Sequence, residues 1–144
     1  MSERILCIDD DANILQAYQR AFRKRFHIEL ALGGEEALEA VVKDGPYAVV
    51  VSDMRMPGIN GVELLGQVKQ LAPDTVRMML TGNADQQTAL KAVNEGHIFR
   101  FMTKPCPPDV FAKALDAGIA QYRLIKAERD LLSKTFIASI KVLI

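Results

Sequence analysis

The sequence predicts an α/β fold: a doubly wound parallel sheet with helices on both faces and a long C-terminal helix. Short, wholly apolar runs recur along the chain, as in strands buried on both faces. Stretches with apolar residues at helical spacing alternate with them. The first, third, fourth and fifth runs each lead into polar residues of a kind that carries chemistry.

Ile5-Leu6-Cys7-Ile8 is the first strand, and Asp11 opens a helix with Ile14, Leu15, Tyr18, Ala21 and Phe22 on one face. His27 to Leu32 is the second strand, ended by Gly33-Gly34, and Glu35 to Lys43 is a helix stopped by Asp44-Gly45-Pro46. Ala48 to Ser52 is the third strand, and Val62 to Leu71 a helix ending before Pro73. Val76 to Leu80 is the fourth strand, and Asp85 to Asn94 a helix closed by Glu95-Gly96. Ile98 to Met102 is the fifth strand. Pro107-Pro108-Asp109 starts the last helix, proline being tolerated in a first turn. In such sheets the working site lies outside the carboxyl ends of the strands.

Composition narrows the function classes. Eighteen Lys+Arg balance 18 Asp+Glu among 144 residues, so a basic nucleic-acid coat or anionic-membrane binder is not indicated. At 49% hydrophobic and 25% charged, the chain has the make-up of a globular domain. Cys7 and Cys106 stand far apart, without metal-ligand or disulfide spacing, and His27 and His97 have none either. No apolar run approaches the roughly 18 residues of a membrane span, and the N-terminus does not read as a signal peptide. A cytoplasmic location, no membrane association and no direct nucleic-acid binding are therefore expected. The basic cluster Arg20, Arg23, Lys24 and Arg25 complements the end of a helix dipole.

The strand ends gather Asp9-Asp10-Asp11, Asp53, Thr81 and Lys104 on one edge. Asp9, Asp10 and Asp53 crowd like charges that disfavour joint ionisation. A hard divalent cation resolves this, and oxygen ligands with open positions suit Mg²⁺. Lys104 and Thr81 add a positive charge and a hydroxyl donor for a phosphoryl group. There is no GxxxxGK[ST] loop to hold a nucleotide and no Ser–His pair. A carboxylate that accepts phosphate as an acyl phosphate remains.

With these residues the chain resembles the receiver domain of two-component response regulators. Asp9-Asp10, Asp53 after Val49-Val50-Val51-Ser52, Met56-Pro57-Gly58, Thr81-Gly82, and Phe101 before Lys104-Pro105 carry the resemblance, over about residues 3 to 120. It implies a flavodoxin-like (βα)5 sheet in the order 2-1-3-4-5. It implies that Asp53 is the phosphoacceptor, that Mg²⁺ is bound by Asp10, Asp53 and the Arg55 backbone carbonyl, and that Asp9 acts largely through water. Lys104 would contact the phosphoryl group, Thr81 and Phe101 would switch, Arg55 and Asn83 would tune phosphoryl lifetime, and Lys104-Pro105 would be a cis peptide. The donor would be a sensor histidine kinase or phosphotransfer protein. The domain would be a phosphoacceptor with self-phosphorylation and self-dephosphorylation, not a conventional enzyme.

The last helix continues past residue 120, giving a receiver at 1–120 and a helical extension at 121–144. Phe111, Leu115, Tyr122, Ile125, Leu132, Phe136 and Leu143 form a partial heptad seam interrupted by Arg129. The projecting part is expected to pair with a second copy or an output domain rather than with the receiver core. The apolar end, Ile140 to Ile144, is expected to lead into such a domain. Asn94 to Phe101 and Thr103 to Pro108 are similar to receivers preceding HD-type phosphohydrolase domains, so a lost output could be a phosphodiesterase. Two other readings compete. One is a phosphorylation-independent interaction or dimerisation module. The other is a phosphohydrolase using Asp9 and Asp11 as nucleophile and acid.

Overall fold

A computed structural model describes the backbone of residues 3–143 and the side chains of residues 3–141. Met1, Ser2, Ile144 and the side chains of Val142 and Leu143 lie outside the described residues, and with them part of the seam and of the apolar end. The order is β1 (Arg4–Asp9), α1 (Ala12–Phe22), β2 (His27–Leu32), α2 (Gly34–Asp44), β3 (Val49–Asp53), α3 (Gly61–Leu71), β4 (Val76–Thr81), a 3-10 turn (Asn83–Asp85), α4 (Gln86–Asn94), β5 (Arg100–Thr103) and α5 (Pro108–Leu143). The strands pair in parallel in the order β2-β1-β3-β4-β5, so the flavodoxin-like topology is the one observed. Strand addition changes direction at β1, which puts the switch point between β1 and β3.

The two-residue period of a strand sorts side chains between two cores. Ile5 and Cys7 of β1, Val49 and Val51 of β3, and Val76, Met78 and Leu80 of β4 face Leu15 and Phe22 of α1 and Phe111, Leu115 and Ile119 of α5. Leu6 and Ile8, Val50 and Met79 face the other way, towards Ala37 and Val41 of α2, Leu64, Leu65 and Val68 of α3, and Ala89 and Ala92 of α4. The same parity places Asp9 and Asp53 on the α1–α5 side, each two residues past the last apolar residue of its strand on that face, Cys7 and Val51. Burying these strands on both faces is the main source of stability, at about 25 cal/mol per Å² of apolar surface removed from water.

Local signals explain most boundaries. Asp11 caps α1, its carboxylate accepting from the Asn13 N–H at 2.9 Å, and Asn60 caps α3 by accepting from the Glu63 N–H at 2.9 Å. The fifth strand begins two residues later than its apolar run. Ile98 is buried, but its N–H donates to the Ala92 carbonyl and helps to close α4, so its apolarity reports burial rather than pairing. Asp85 does not start α4; it ends the 3-10 turn that precedes the helix.

Helix α5 is continuous over 36 residues. Phe111 stacks on Phe22 and Tyr18, with ring centroids 5.1 and 5.0 Å apart. A Cβ on Gly118 would come within 2.9 Å of Val49, so the absent side chain lets the helix lie close to the sheet. Against expectation, the projecting part does not leave the body at once. Tyr122 and Ile125 pack against the α1–α5 core. The Arg123 guanidinium donates to both Glu3 carboxylate oxygens at 2.6 and 2.9 Å. Arg129 lies 2.6 Å from Asp74. Helices run antiparallel to the strands here, so α5 meets the lower sheet edge, where Glu3 and Asp74 precede β1 and β4. Past that edge Leu131, Leu132, Phe136, Ile137 and Ile140 are exposed.

Candidate functional site

The carboxyl ends of β1, β3, β4 and β5 bring together the residues that the sequence singled out. Asp53 is the last residue of β3, opposite Leu80 of β4, and is buried. Asp9 ends β1 and is 1% exposed, whereas Asp10 faces solvent. One carboxylate oxygen of each of Asp9, Asp10 and Asp53 lies within 4.8 Å of the others. Asp9 Oδ1 accepts from the Asp11 N–H at 3.0 Å, and Asp9 Oδ2 is buried with no hydrogen-bond partner. Burial, with the Asp53 charge beside it, pushes the Asp9 carboxyl up to about 6. An orphaned, buried carboxylate oxygen among oxygen-only donors fits a hard divalent cation such as Mg²⁺.

Lys104, just past β5, forms an ion pair with Asp53. Its backbone N–H also donates to the Thr81 carbonyl at 2.9 Å, so one residue ties the Asp53 carboxylate to the end of β4. Thr81 is fully buried, and its hydroxyl donates to the Gly82 carbonyl at 3.1 Å. The Lys104-Pro105 peptide is cis, as the resemblance implied; Gly45-Pro46 is cis too, with no sequence signal that marked it. Phe101 is half-buried on β5 opposite Met79 and packs against the α2–α4 core. Its ring is thus part core and part surface.

The two candidate lifetime residues are engaged elsewhere. Arg55 donates through Nε and Nη2 to Oδ2 and Oδ1 of Asp85, at 2.6 and 2.8 Å. That fork holds the Asp85 carboxyl below the usual range. Asn83 Oδ1 accepts from the Gln86 amide at 3.1 Å. In the sequence Asp85 reads only as a helix start. Its partner lies 30 residues away, and no local pattern marks the pair.

Asp11 is exposed and occupied as the α1 cap, so it does not pair with Asp9 as the acid of a phosphohydrolase. Cys7 is buried in β1, where loss of water pushes its thiol up to about 12. Among the described residues no helix is long and apolar enough to cross a membrane.

Comparison with known proteins agrees with this geometry. A family model described as the response regulator receiver domain matches residues 5–116. The hydrogenase transcriptional regulatory protein HoxA of Bradyrhizobium diazoefficiens is 31% identical over 122 residues, covering 85% of this chain and 25% of that protein. The chain spans about a quarter of the length of the curated relatives it matches. A solved structure titled adenylate cyclase from Rhodopirellula baltica is 42% identical with a TM-score of 0.91, covering 93% of this chain and 99% of that one. The signal receiver domain of an HD domain-containing protein from Pseudomonas fluorescens is 28% identical with a TM-score of 0.78, covering 85% and 98%.

Proposed function

This chain belongs to the response regulator receiver domain family of two-component signalling, and on that premise we propose that Asp53 accepts a phosphoryl group from a sensor histidine kinase or phosphotransfer protein. The observation that carries the proposal is the buried Asp53 carboxylate, set between Asp9 and Asp10 on one side and the Lys104 ammonium on the other.

An Asp53 carboxylate oxygen attacks the phosphorus of a phosphohistidine, the P–N bond breaks, and the imidazole leaves with its electron pair. Asp10, Asp53 and the Arg55 carbonyl would hold Mg²⁺, with Asp9 behind it. The ion supplies charge neutralisation for the transferring group. Lys104 neutralises the acceptor and the incoming oxygens, and its backbone bond to Thr81 fixes it relative to β4. The Thr81 hydroxyl exchanges its weak bond to Gly82 for one to a phosphoryl oxygen, and Phe101 follows it. The surface of α4, β5 and α5 then changes. Residues 121–144 carry that change outward, to an output domain or to a second copy through the exposed part of the seam. The exposed Leu132 and Phe136 support the second route.

Acetyl phosphate and Mg²⁺ should add one phosphoryl group to the chain, read by intact mass, and Asp53→Asn should take none while its circular dichroism is unchanged. Persistent labelling of the variant would sink the assignment. Sedimentation velocity with Mg²⁺, with and without beryllofluoride, reads the outcome on assembly. A chain that takes no phosphoryl group and still self-associates through α5 is instead a phosphorylation-independent module.

A further inference from the structure

The Arg55–Asp85 pair joins the two loops that flank the acceptor. Arg55 lies two residues past Asp53, in the loop from β3 to α3, and Asp85 lies four past Thr81, at the end of the 3-10 turn. Both hydrogen bonds use the Nε–Nη2 edge of the guanidinium. The arginine side chain is 75% exposed and the aspartate 16%, so an exposed arm is held by a half-buried anchor.

We infer that Asp85 is a positioning residue for Arg55: it docks the arginine on the β4–α4 turn and competes with the Asp53 phosphoryl group for the same guanidinium edge. The argument is chemical. A phosphoryl group presents three acceptor oxygens and close to two negative charges. Arginine binds carboxylate and phosphate alike through two parallel N–H bonds, and the Nε–Nη2 edge serves one partner at a time. In the unphosphorylated chain that edge belongs to Asp85. Phosphorylation supplies a rival anion two residues from Arg55 in the chain, at the end of the strand next to β4. When Arg55 leaves, the turn that follows Thr81 loses its strap, which adds a second link between the acceptor and α4 beside the Thr81 hydroxyl. A guanidinium forked on the phosphoryl oxygens covers the phosphorus against attacking water, so Asp85, by withholding Arg55, shortens the phosphoryl lifetime. The inference rests on Asp53 being the phosphoacceptor.

The test is the decay of the acyl phosphate after acetyl phosphate is removed from the Mg²⁺-loaded chain. Asp85→Asn keeps the shape of the side chain and removes its charge. It should lengthen the lifetime about two- to fivefold, the range of an exposed ion pair. In an Arg55→Ala background the same substitution should change nothing. Arg55→Lys, which keeps the charge and loses the fork, should show a smaller dependence on Asp85. An unchanged lifetime in Asp85→Asn overturns the inference, and so does an effect that persists without Arg55, because the carboxylate then acts only on the turn. Failure of the wild-type chain to label at all overturns the phosphoacceptor reading and this one with it, a result distinct from a labelled chain that ignores Asp85.

Discussion

Lys104 and Asp53 stand at the ends of strands separated by β4, and the lysine spans that strand to pair with the aspartate. Lys104 is the one cation seen paired with this carboxylate among the described residues. Replacing it with alanine leaves three carboxylates facing each other without their counter-charge. A charge-assisted hydrogen bond contributes about 1.5–3 kcal/mol. Labelling of Lys104→Ala by acetyl phosphate should therefore be about ten- to hundredfold slower, with an unchanged circular dichroism spectrum. Wild-type labelling kinetics in this variant would remove Lys104 from the transfer step.

The Asp9 carboxyl predicts how metal and pH interact. Its ordinary value is 3.8 and the fold raises it to about 6. The folded chain thus binds this proton more tightly than the unfolded chain does. Stability from this group is greatest at acid pH, falls as pH rises from about 4 to about 6, and stays lower above that. A cation beside the ionised carboxylate offsets the loss. Mg²⁺ should raise Tm more at pH 7.5 than at pH 5 in differential scanning calorimetry. Equal gains at both pH values would show that Asp9 does not sense the metal.

Gly61 offers a steric test of the strand that carries Asp53. A Cβ there would clash with the Asp53 carbonyl oxygen and come within 3.0 Å of the Met54 Cα, both backbone. Neither neighbour is the far end of a flexible side chain. Gly61→Ala should lower Tm and slow phosphorylation together, because the first turn of α3 then pushes on the residue that carries the carboxylate. The reference is Gly66→Ala at an open site on the same helix, which should raise Tm slightly, as alanine does inside a helix, and leave phosphorylation unchanged.

The position of strand-end residues was legible in the sequence because a parallel sheet forces it. Apolar runs set the strands, and Asp9, Asp53, Thr81 and Lys104 follow from counting to the end of each run. The helix caps at Asp11 and the cis bond before Pro105 were legible too, the first from local chemistry and the second from resemblance. What stayed hidden depends on partners far apart in the chain. Arg55 finds Asp85, and Arg123 finds Glu3, 120 residues away, through positions that only the folded sheet defines. The start of β5 is not legible from its apolar run for a related reason: Ile98 is apolar because it covers α4, not because it pairs with β4.

The Glu3–Arg123 pair makes docking of the extension sensitive to charge. Hydrogen bonds from Arg123 hold the Glu3 carboxyl at about 2, below its ordinary 4.5. Its contribution is therefore complete above about pH 4.5 and is lost as pH falls through about 2. Neutral pH and mild acid should leave the contact intact, whereas Glu3→Gln should weaken it at every pH. Hydrogen exchange over residues 120–130 should be faster in Glu3→Gln than in the wild type at pH 7. Unaltered exchange would mean that Tyr122 and Ile125 hold the segment alone.

The unbroken helix α5 also has a phase. Its 36 residues make about ten turns and a rod about 54 Å long. Such a rod carries torsion as well as displacement, so a small rotation of its root beside Phe111 becomes an equal rotation of whatever is fixed to its tip. Each residue added beyond Arg129 would turn the tip by about 100°, while seven added together would return it to within about 20° of its original facing. The extension is thus a protractor as much as a spacer, and what it delivers should depend on the number of residues in it modulo seven.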